Sequence, residues 1–272
     1  MRTFTLFATL SLSACLLALP AISRAEGIDV GKPSALRNLV PASQLERQSA
    51  RQYDDLKRQA AAQRALAPDN HPQLKRLRAM AERMIPLVER WNPQARQWRW
   101  EVILIGSKQI NAFCMPGGKI AFYTGILDTL QLSDDEAAMV MGHEIAHALR
   151  EHARERLAKS ELTQLGASLL GQYVGGGKYY DAFQAGGGLL SLKFSRDDET
   201  EADAVGLELA ARAGYDPRAG ITLWQKMMAA NRNGPPSWLS THPAGKDRIK
   251  QMEKHLTQVM PLYQAALAQP GR

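Results

Sequence analysis

The stretch MVMGHEIAHALREH (residues 139–152) limits what this chain can be more than any other, because it places ionisable side chains inside an apolar, alanine-rich helix. Residues four apart lie on one face of an α-helix, so His143 and His147 can reach a single metal ion. Glu144 lies one helical step from His143 and can take a proton from an attacking water without binding the ion. H-E-x-x-H is the arrangement of two zinc ligands and a general base. A pair of core histidines is the alternative, and the glutamate between them favours the metal.

The start of this helix is marked by a capping box. Ser133 and Glu136 form the pattern S-x-x-E, in which each side chain satisfies a backbone N–H of the first turn. Asp134 and Asp135 lie at the positive end of the helix dipole, where a negative charge is favourable. The sequence therefore predicts a helix that begins at about residue 134 and carries the HEIAH motif.

A catalytic zinc ion takes three protein ligands and keeps one position open, so a third ligand must come from elsewhere in the chain. The segment SRDDETEADAVGLELA (residues 195–210) predicts a second helix rich in carboxylates. Helical phase places Glu199 and Asp203 on one face with small residues, and it places Glu201 and Glu208 on the opposite face, where we expect solvent. Because an unpaired buried charge is costly, Glu199 is predicted as the third ligand. Asp203 is predicted to accept the free ring N–H of a ligand histidine.

The fold class predicted from the remaining patterns is α+β and predominantly helical. Alternating apolar residues predict strands at 97–107 and 119–124, in a small mixed or antiparallel sheet beside the HEIAH helix. The glycine-rich segment 160–193 has no run of about 18 apolar residues, so we expect a mobile cover or a packing segment rather than a membrane hairpin. Further helices are expected at 72–91 with a bend near Pro86, at 197–213, at 217–231 and at 244–265.

The N-terminal segment, residues 1–25, has the pattern of a signal peptide. A basic start and a long apolar run precede SRA, after which cleavage would leave Glu26 as the first residue. A membrane anchor and a lipoprotein attached through Cys15, in the sequence LSAC, are the alternatives. We therefore expect an exported, periplasmic protein. We expect residues 26–70 to form a helical arm that either packs on the domain or is a flexible extension. Residues 71–265 are expected to form the metal-binding domain.

The net charge of +7 raises the question of an acidic partner. The lysines and arginines are scattered along the predicted helices and no nucleic-acid-binding motif is present, so we expect no nucleic-acid partner. A membrane surface or an anionic envelope polymer suits this charge better. A solvated basic surface without a partner is the simpler alternative.

The two motifs together resemble a known family. HEIAH, followed about fifty residues later by SRDDETEADAVG, resembles the zinc metallopeptidases that include the heat-shock protease HtpX and the CAAX prenyl endopeptidases. NAFCMPGGKIAFYTGIL resembles the edge-strand segment of this family, and STHPAGKDRI resembles its T-H-P stretch. Without membrane spans, the chain looks like a soluble periplasmic branch. The resemblance implies a zincin-like fold with one Zn²⁺ per chain, held by His143, His147 and Glu199, with Glu144 as base and Asp203 in an accessory catalytic role.

Two further residues are left with two interpretations each. His242 precedes Pro243 and can simply mark the start of a helix, whereas the resemblance places it near the metal as a reversible fourth ligand or an oxyanion donor. Arg248 either contacts substrate or is an ordinary surface arginine. His152 is predicted to be a surface residue, because its helical angle points away from the two ligands.

These patterns predict a zinc-dependent endopeptidase of protein quality control, acting on unfolded or misassembled cell-envelope proteins. The resemblance implies that an extended polypeptide adds to the strand ending near Thr124, which would make recognition depend on backbone more than on side chains. Membrane-surface or outer-membrane assembly partners are also expected. A metal-bound periplasmic chaperone or assembly factor with a vestigial site is the non-enzymatic alternative.

Overall fold

A computed structural model describes residues 26–170, 189, 192–231, 236–245 and 247–269. The predicted signal peptide, with Cys15, and most of the glycine-rich segment 160–193 lie outside the described residues. The described part is an α+β fold, mostly helical, with one small mixed sheet, which confirms the predicted fold class.

The helices and strands follow the predicted order, with bounds that differ by a few residues. The predicted bend near Pro86 is a change from α-helix to a 3-10 helix at Ile85–Arg90. Among the described helices, none combines the length and the apolar character needed to cross a lipid bilayer. The elements are α1 (Ala42–Ala62), α2 (Pro72–Met84), β1 (Glu101–Ile105), β2 (Ala112–Met115), β3 (Lys119–Tyr123), α3 (Thr124–Thr129), α4 (Asp134–Leu149), α5 (His152–Leu170), α6 (Arg196–Arg212), α7 (Ala219–Ala230), α8 (Ser237–Thr241) and α9 (Arg248–Leu267), with 3-10 turns at Ala35–Leu39 and Pro93–Gln97.

The sheet has the strand order β1-β3-β2. β1 runs parallel to β3, and β2 runs antiparallel to it, with Ala112 opposite Phe122. β3 is therefore the central strand, and both of its edges are already paired. The expectation that a peptide adds to the strand ending near Thr124 is wrong for this reason, since a fully paired strand has no free backbone groups to offer.

The HEIAH helix α4 begins where the sequence predicts. The Ser133 hydroxyl accepts from the Glu136 N–H at 3.2 Å, and the Glu136 carboxylate accepts from the Ser133 N–H at 2.9 Å. The same carboxylate accepts from Lys226 of α7 at 2.7 Å and from the Thr222 hydroxyl at 2.9 Å. The cap thus fixes both the first turn of α4 and its contact with α7.

We expect the substitution Ser133→Ala to lower the free energy of unfolding by about 1 kcal/mol, because it leaves a first-turn N–H without its acceptor. Urea titration followed by circular dichroism measures the change. Thr257→Ala, on the exposed face of α9, is the matched control. A loss in Ser133→Ala no greater than that of the control would show that the cap adds nothing to stability.

The two helices that carry the motifs cross in backbone contact. A Cβ added to Gly206 of α6 would lie 2.7 Å from the backbone nitrogen of His143, and one added to Gly142 of α4 would lie 2.7 Å from the Gly206 carbonyl oxygen. Only glycine at both positions permits this approach. The crossing brings the carboxylates of α6 within reach of the histidines of α4.

The predicted arm contains a helix that packs against the sheet. Tyr53 of α1 is fully buried, and its hydroxyl donates to the Ile120 carbonyl oxygen at 2.6 Å. Lys57 of the same helix donates to Glu101 of β1 at 2.6 Å. These contacts join α1 to two strands. The predicted boundary near residue 70 stays a prediction.

Glu208 is completely buried, so its predicted position on a solvent-facing side of α6 is wrong. The N-terminal segment lies over it, and the Ile28 N–H donates to its carboxylate at 2.6 Å. Arg212 donates to the same group at 2.7 Å and compensates its charge. Helical phase gave the correct face, but it could not show that another part of the chain covers that face.

Candidate metal centre

Four side chains from three parts of the chain converge at the crossing of α4 and α6. His143, His147, Glu199 and His242 are all buried, and one ligand atom from each lies within 4.8 Å of the others. The Nε2 atoms of His143 and His147 are 3.0 Å apart, and Glu199 Oε1 lies 3.4 Å from His147 Nε2. His242 Nδ1 lies 3.3 Å from His143 Nε2 and 3.0 Å from Glu199 Oε1.

This geometry fits one zinc ion. Two atoms that each lie about 2.0–2.1 Å from zinc at the tetrahedral angle are about 3.4 Å apart. The distances between the converging nitrogen and oxygen atoms run from 3.0 to 3.5 Å, close to that value. Imidazole nitrogens with a carboxylate are also ligands that zinc prefers. The predicted capacity for one metal ion per chain is therefore confirmed.

The structure brings the predicted residue Asp203 against the outer side of His143. Asp203 Oδ1 lies 3.0 Å from His143 Nδ1, the ring nitrogen that faces away from the cluster. Arg248 donates to both Asp203 oxygens at 2.6 Å and to Glu199 Oε2 at 2.6 Å. Arg248 is only 5% exposed and lies over the Trp224 ring, so the surface interpretation of this arginine is wrong.

The electrostatics of the cluster are those of a site built for a cation. Burial opposes charge on His143, but hydrogen bonds to Asp203 and Glu199 outweigh burial and raise the pKa of His143 to about 9. Burial lowers the pKa of His147 well below its ordinary value. The surrounding histidines hold the pKa of Glu199 far below its usual range, against the opposing effect of burial. The carboxylates of Asp203 and Glu199 thus favour positive charge at the cluster.

Glu144 lies beside the cluster without joining it. Its Oε1 accepts from the indole N–H of Trp238 at 2.6 Å and lies 3.6 Å from His242 Nε2. The Trp238 ring stacks on His242 with ring centroids 4.6 Å apart. Trp238 of α8 was missed by the sequence analysis, because nothing in SWLST marks a tryptophan that contacts a residue 94 positions away.

The prediction that His152 is a surface residue is wrong. Its exposed fraction is 1%, and its Nδ1 lies 2.9 Å from Nδ1 of His147. The predicted angle of His152 holds only for one continuous helix, whereas α4 ends at Leu149 and Glu151 adopts a φ of +58° before α5 begins. The turn at Glu151 rotates the chain, so that His152 comes back towards the cluster.

A helix carrying HEIAH, crossed by a second helix that contributes a carboxylate to the same metal position, defines a zincin-like metallopeptidase centre. The comparison with protein families agrees with this class: residues 71–256 match peptidase family M48, and the chain belongs to that family.

The chain is similar to named relatives from several organisms. It is 41% identical over 152 residues to the mitochondrial metalloendopeptidase OMA1 of Arabidopsis thaliana, a match that covers 56% of this chain and 30% of the relative. It is 37% identical over 160 residues to the protein of that name in Schizosaccharomyces pombe, covering 58% and 47%. It is 29% identical over 174 residues to the β-barrel assembly-enhancing protease of Escherichia coli, covering 58% and 35%. The chain therefore spans less than half the length of these relatives.

These relatives correct two expectations. Their names are those of OMA1 and of the assembly-enhancing protease, so what is shown is the M48 family and not the narrower resemblance to HtpX or the prenyl endopeptidases. The expected periplasmic location is contradicted by the relatives named mitochondrial. The pattern at residues 1–25 is a property of that segment alone, an apolar run with a basic start, and it does not fix the compartment.

Proposed function

We propose that this protein is a zinc-dependent endopeptidase that hydrolyses peptide bonds of unfolded or misassembled proteins. The observation that carries the proposal is the position of Glu144. It lies next to the converging ligand atoms and is held by Trp238, but is not one of the ligands. A site that only holds a structural metal has no use for a separate buried carboxylate, which argues against an assembly factor with a vestigial site.

His143, His147 and Glu199 would hold the zinc ion, and Asp203 would orient His143 from behind. Zinc held there supplies Lewis acidity, which polarises the scissile carbonyl and makes an attacking water acidic near neutral pH. His242 is close enough to act as a fourth ligand or as a donor to the oxyanion. Arg248 keeps its charge, since its pKa is raised against burial by Asp203 and Glu199.

Glu144 would take a proton from the attacking water and pass it to the amine that leaves. The Trp238 N–H holds one carboxylate oxygen of Glu144 in place, which leaves the other oxygen for the water. The base is thus oriented by a fixed donor before substrate arrives. Such orientation lowers the cost of reaching the reactive geometry.

An extended polypeptide would bind along the edge of β2 that faces away from β3, and β2 packs beside α4. The Tyr123 N–H donates to the Asn111 carbonyl oxygen, and this register turns the backbone groups of Ala112 and Cys114 away from β3. The Ala112 N–H is already taken by the Asn111 side chain at 3.0 Å. The backbone of Cys114 is therefore positioned to pair with a substrate strand, as in other cases of β-strand addition.

Recognition through backbone groups suits substrates that have lost their own structure, because only an unfolded segment can present a free strand. The names of the relatives support this role in part. One of them is called a β-barrel assembly-enhancing protease, a name that connects that relative with the assembly of other polypeptides. We infer that the partners of this chain are extended segments of polypeptides that fail to assemble.

The test uses one disulfide-bonded globular protein in two forms, native and reduced with its thiols alkylated. We expect the zinc-loaded full chain to cleave the reduced form and to leave the native form intact. A chelator should stop cleavage, and added zinc should restore it. Cleavage that continues at full rate in the chelator would contradict the metal mechanism. Equal cleavage of both forms would contradict the preference for unfolded substrates.

A further inference from the structure

We propose that His152 and Glu201 form a positioning relay that orients the zinc ligand His147. This inference rests on the proposed metal centre and assigns a role to two residues that are neither proposed ligands nor the proposed base. It starts from the environment of His147, whose two ring nitrogens face different partners. Nε2 faces the cluster, at 3.0 Å from His143 Nε2, and Nδ1 faces His152 Nδ1 at 2.9 Å.

The direction of each hydrogen bond follows from this geometry. A neutral imidazole that binds metal through Nε2 carries its proton on Nδ1, so His147 donates to His152. His152 Nδ1 must then be the unprotonated acceptor, and its proton lies on Nε2. That nitrogen is 3.3 Å from Glu201 Oε2, which can accept it. With these proton positions, each of the four ring nitrogens has a partner: the metal position for His147 Nε2, a shared hydrogen bond for the two Nδ1 atoms, and Glu201 for His152 Nε2.

The outer end of the relay is fixed by Arg150. Its guanidinium, on a side chain that is only 4% exposed, forms an ion pair with Glu201. It also donates to the Gly31 carbonyl oxygen at 2.9 Å, so the N-terminal segment closes over the pair. The carboxylate of Glu201 is only partly buried, and its pKa is lowered, against the effect of burial, by His152 and Arg150, so it keeps its negative charge. Glu201 is thereby held as an acceptor for His152.

His143, the other ligand histidine of the HEIAH motif, is also backed by a carboxylate and an arginine, but without a second histidine between them. His143 is backed directly by the Asp203 carboxylate, which Arg248 holds in turn. His147 is backed by a carboxylate and an arginine as well, but His152 stands between the ring and Glu201. His152 therefore links the ring of His147 to the carboxylate of Glu201 by hydrogen bonds at its two nitrogens. Packing alone would not need this polar alignment, since Phe194 already stacks on His147 with ring centroids 3.9 Å apart.

The test compares two substitutions of similar size at one position. The Asn side chain in His152→Asn places an oxygen where Nδ1 stood and can still accept from His147, whereas His152→Leu cannot. We expect His152→Leu to weaken zinc binding by about 10–100-fold, and His152→Asn to lie within a few-fold of the wild type. Zinc dissociation constants of the full chain are measured by competition with a chromophoric chelator. His255→Leu, far along α9, is the control and should bind zinc as the wild type does.

A second measurement needs no substitution. In the zinc-loaded wild type, ¹⁵N spectra of the histidine rings should show His152 with an unprotonated Nδ1 and a protonated Nε2. A protonated Nδ1 on His152 would overturn the relay, as would equal zinc affinities for His152→Leu and His152→Asn. These results leave the proposed function standing, because they presuppose zinc binding by the wild type. A wild-type chain that binds no zinc would overturn the metal centre and the relay together.

Discussion

Replacing Glu144 by Gln is expected to lower the rate of peptide hydrolysis by about 10²–10⁴-fold while zinc stays bound. The amide of Gln has nearly the shape of the carboxylate, and its oxygen can still accept from the Trp238 N–H that now reaches Glu144 at 2.6 Å. What it lacks is the ability to take a proton from the attacking water. The rate is measured with the reduced, unfolded substrate at saturating concentration, and the zinc content is measured on the same sample.

The control for this variant is Glu253→Gln, on the exposed face of α9, which removes one negative charge far from the site. It should cleave at the wild-type rate. If Glu144→Gln cleaves as fast as the control, Glu144 is not the base. If it loses zinc as well as activity, the carboxylate contributes to metal binding, and the separation between ligands and base is incorrect.

Replacing Glu199 by Ala is expected to lower zinc affinity by more than about 100-fold. This is more than the loss that follows when a residue that only hydrogen-bonds to a metal ligand is replaced. The substitution removes a carboxylate whose oxygens lie 3.4 Å from His147 Nε2 and 3.5 Å from His143 Nε2. It also leaves Asp203 as the carboxylate partner of Arg248, so less negative charge faces the metal position. Dialysis followed by metal analysis, together with chelator competition, measures the loss.

Asp197→Ala is the matched control, because Asp197 is an exposed carboxylate in the first turn of the same helix. It should retain one zinc ion per chain. Glu201 is not a neutral comparison, since its carboxylate contacts His152 and Arg150. Full zinc occupancy in Glu199→Ala after dialysis would move the third ligand to another residue, with His242 the nearest donor.

Much of the site could be predicted from helical phase alone. The spacing of His143 and His147 places both side chains on one face of α4. The small residues around Glu199 and Asp203 indicate the face of α6 that packs against the rest of the fold. The capping box fixed the start of α4 to the residue. These predictions rest on neighbours within one or two turns of a helix, where geometry follows directly from the sequence.

The errors about where residues and strands lie in the fold have one physical cause in common. His152 was placed by extending a helix that in fact ends, and Glu208 was placed on the outer face of a helix that another segment covers. The central position of β3 depends on β2, a strand of four residues that pairs on one side only. Each error concerns a contact between parts of the chain that local periodicity does not relate.

The sequence by itself determined the helix with its two imidazoles and a base, the second helix with inward carboxylates, and the class of metal that such side chains bind. Only the tertiary structure decided what surrounds them: His242 facing the ligands, Trp238 holding the base, and the pair of His152 and Glu201 behind His147. The reason is that helical phase is a local property, repeated every 3.6 residues. The angle and distance at which two helices meet depend instead on close contacts such as Gly142 with Gly206, which form only when the chain has folded.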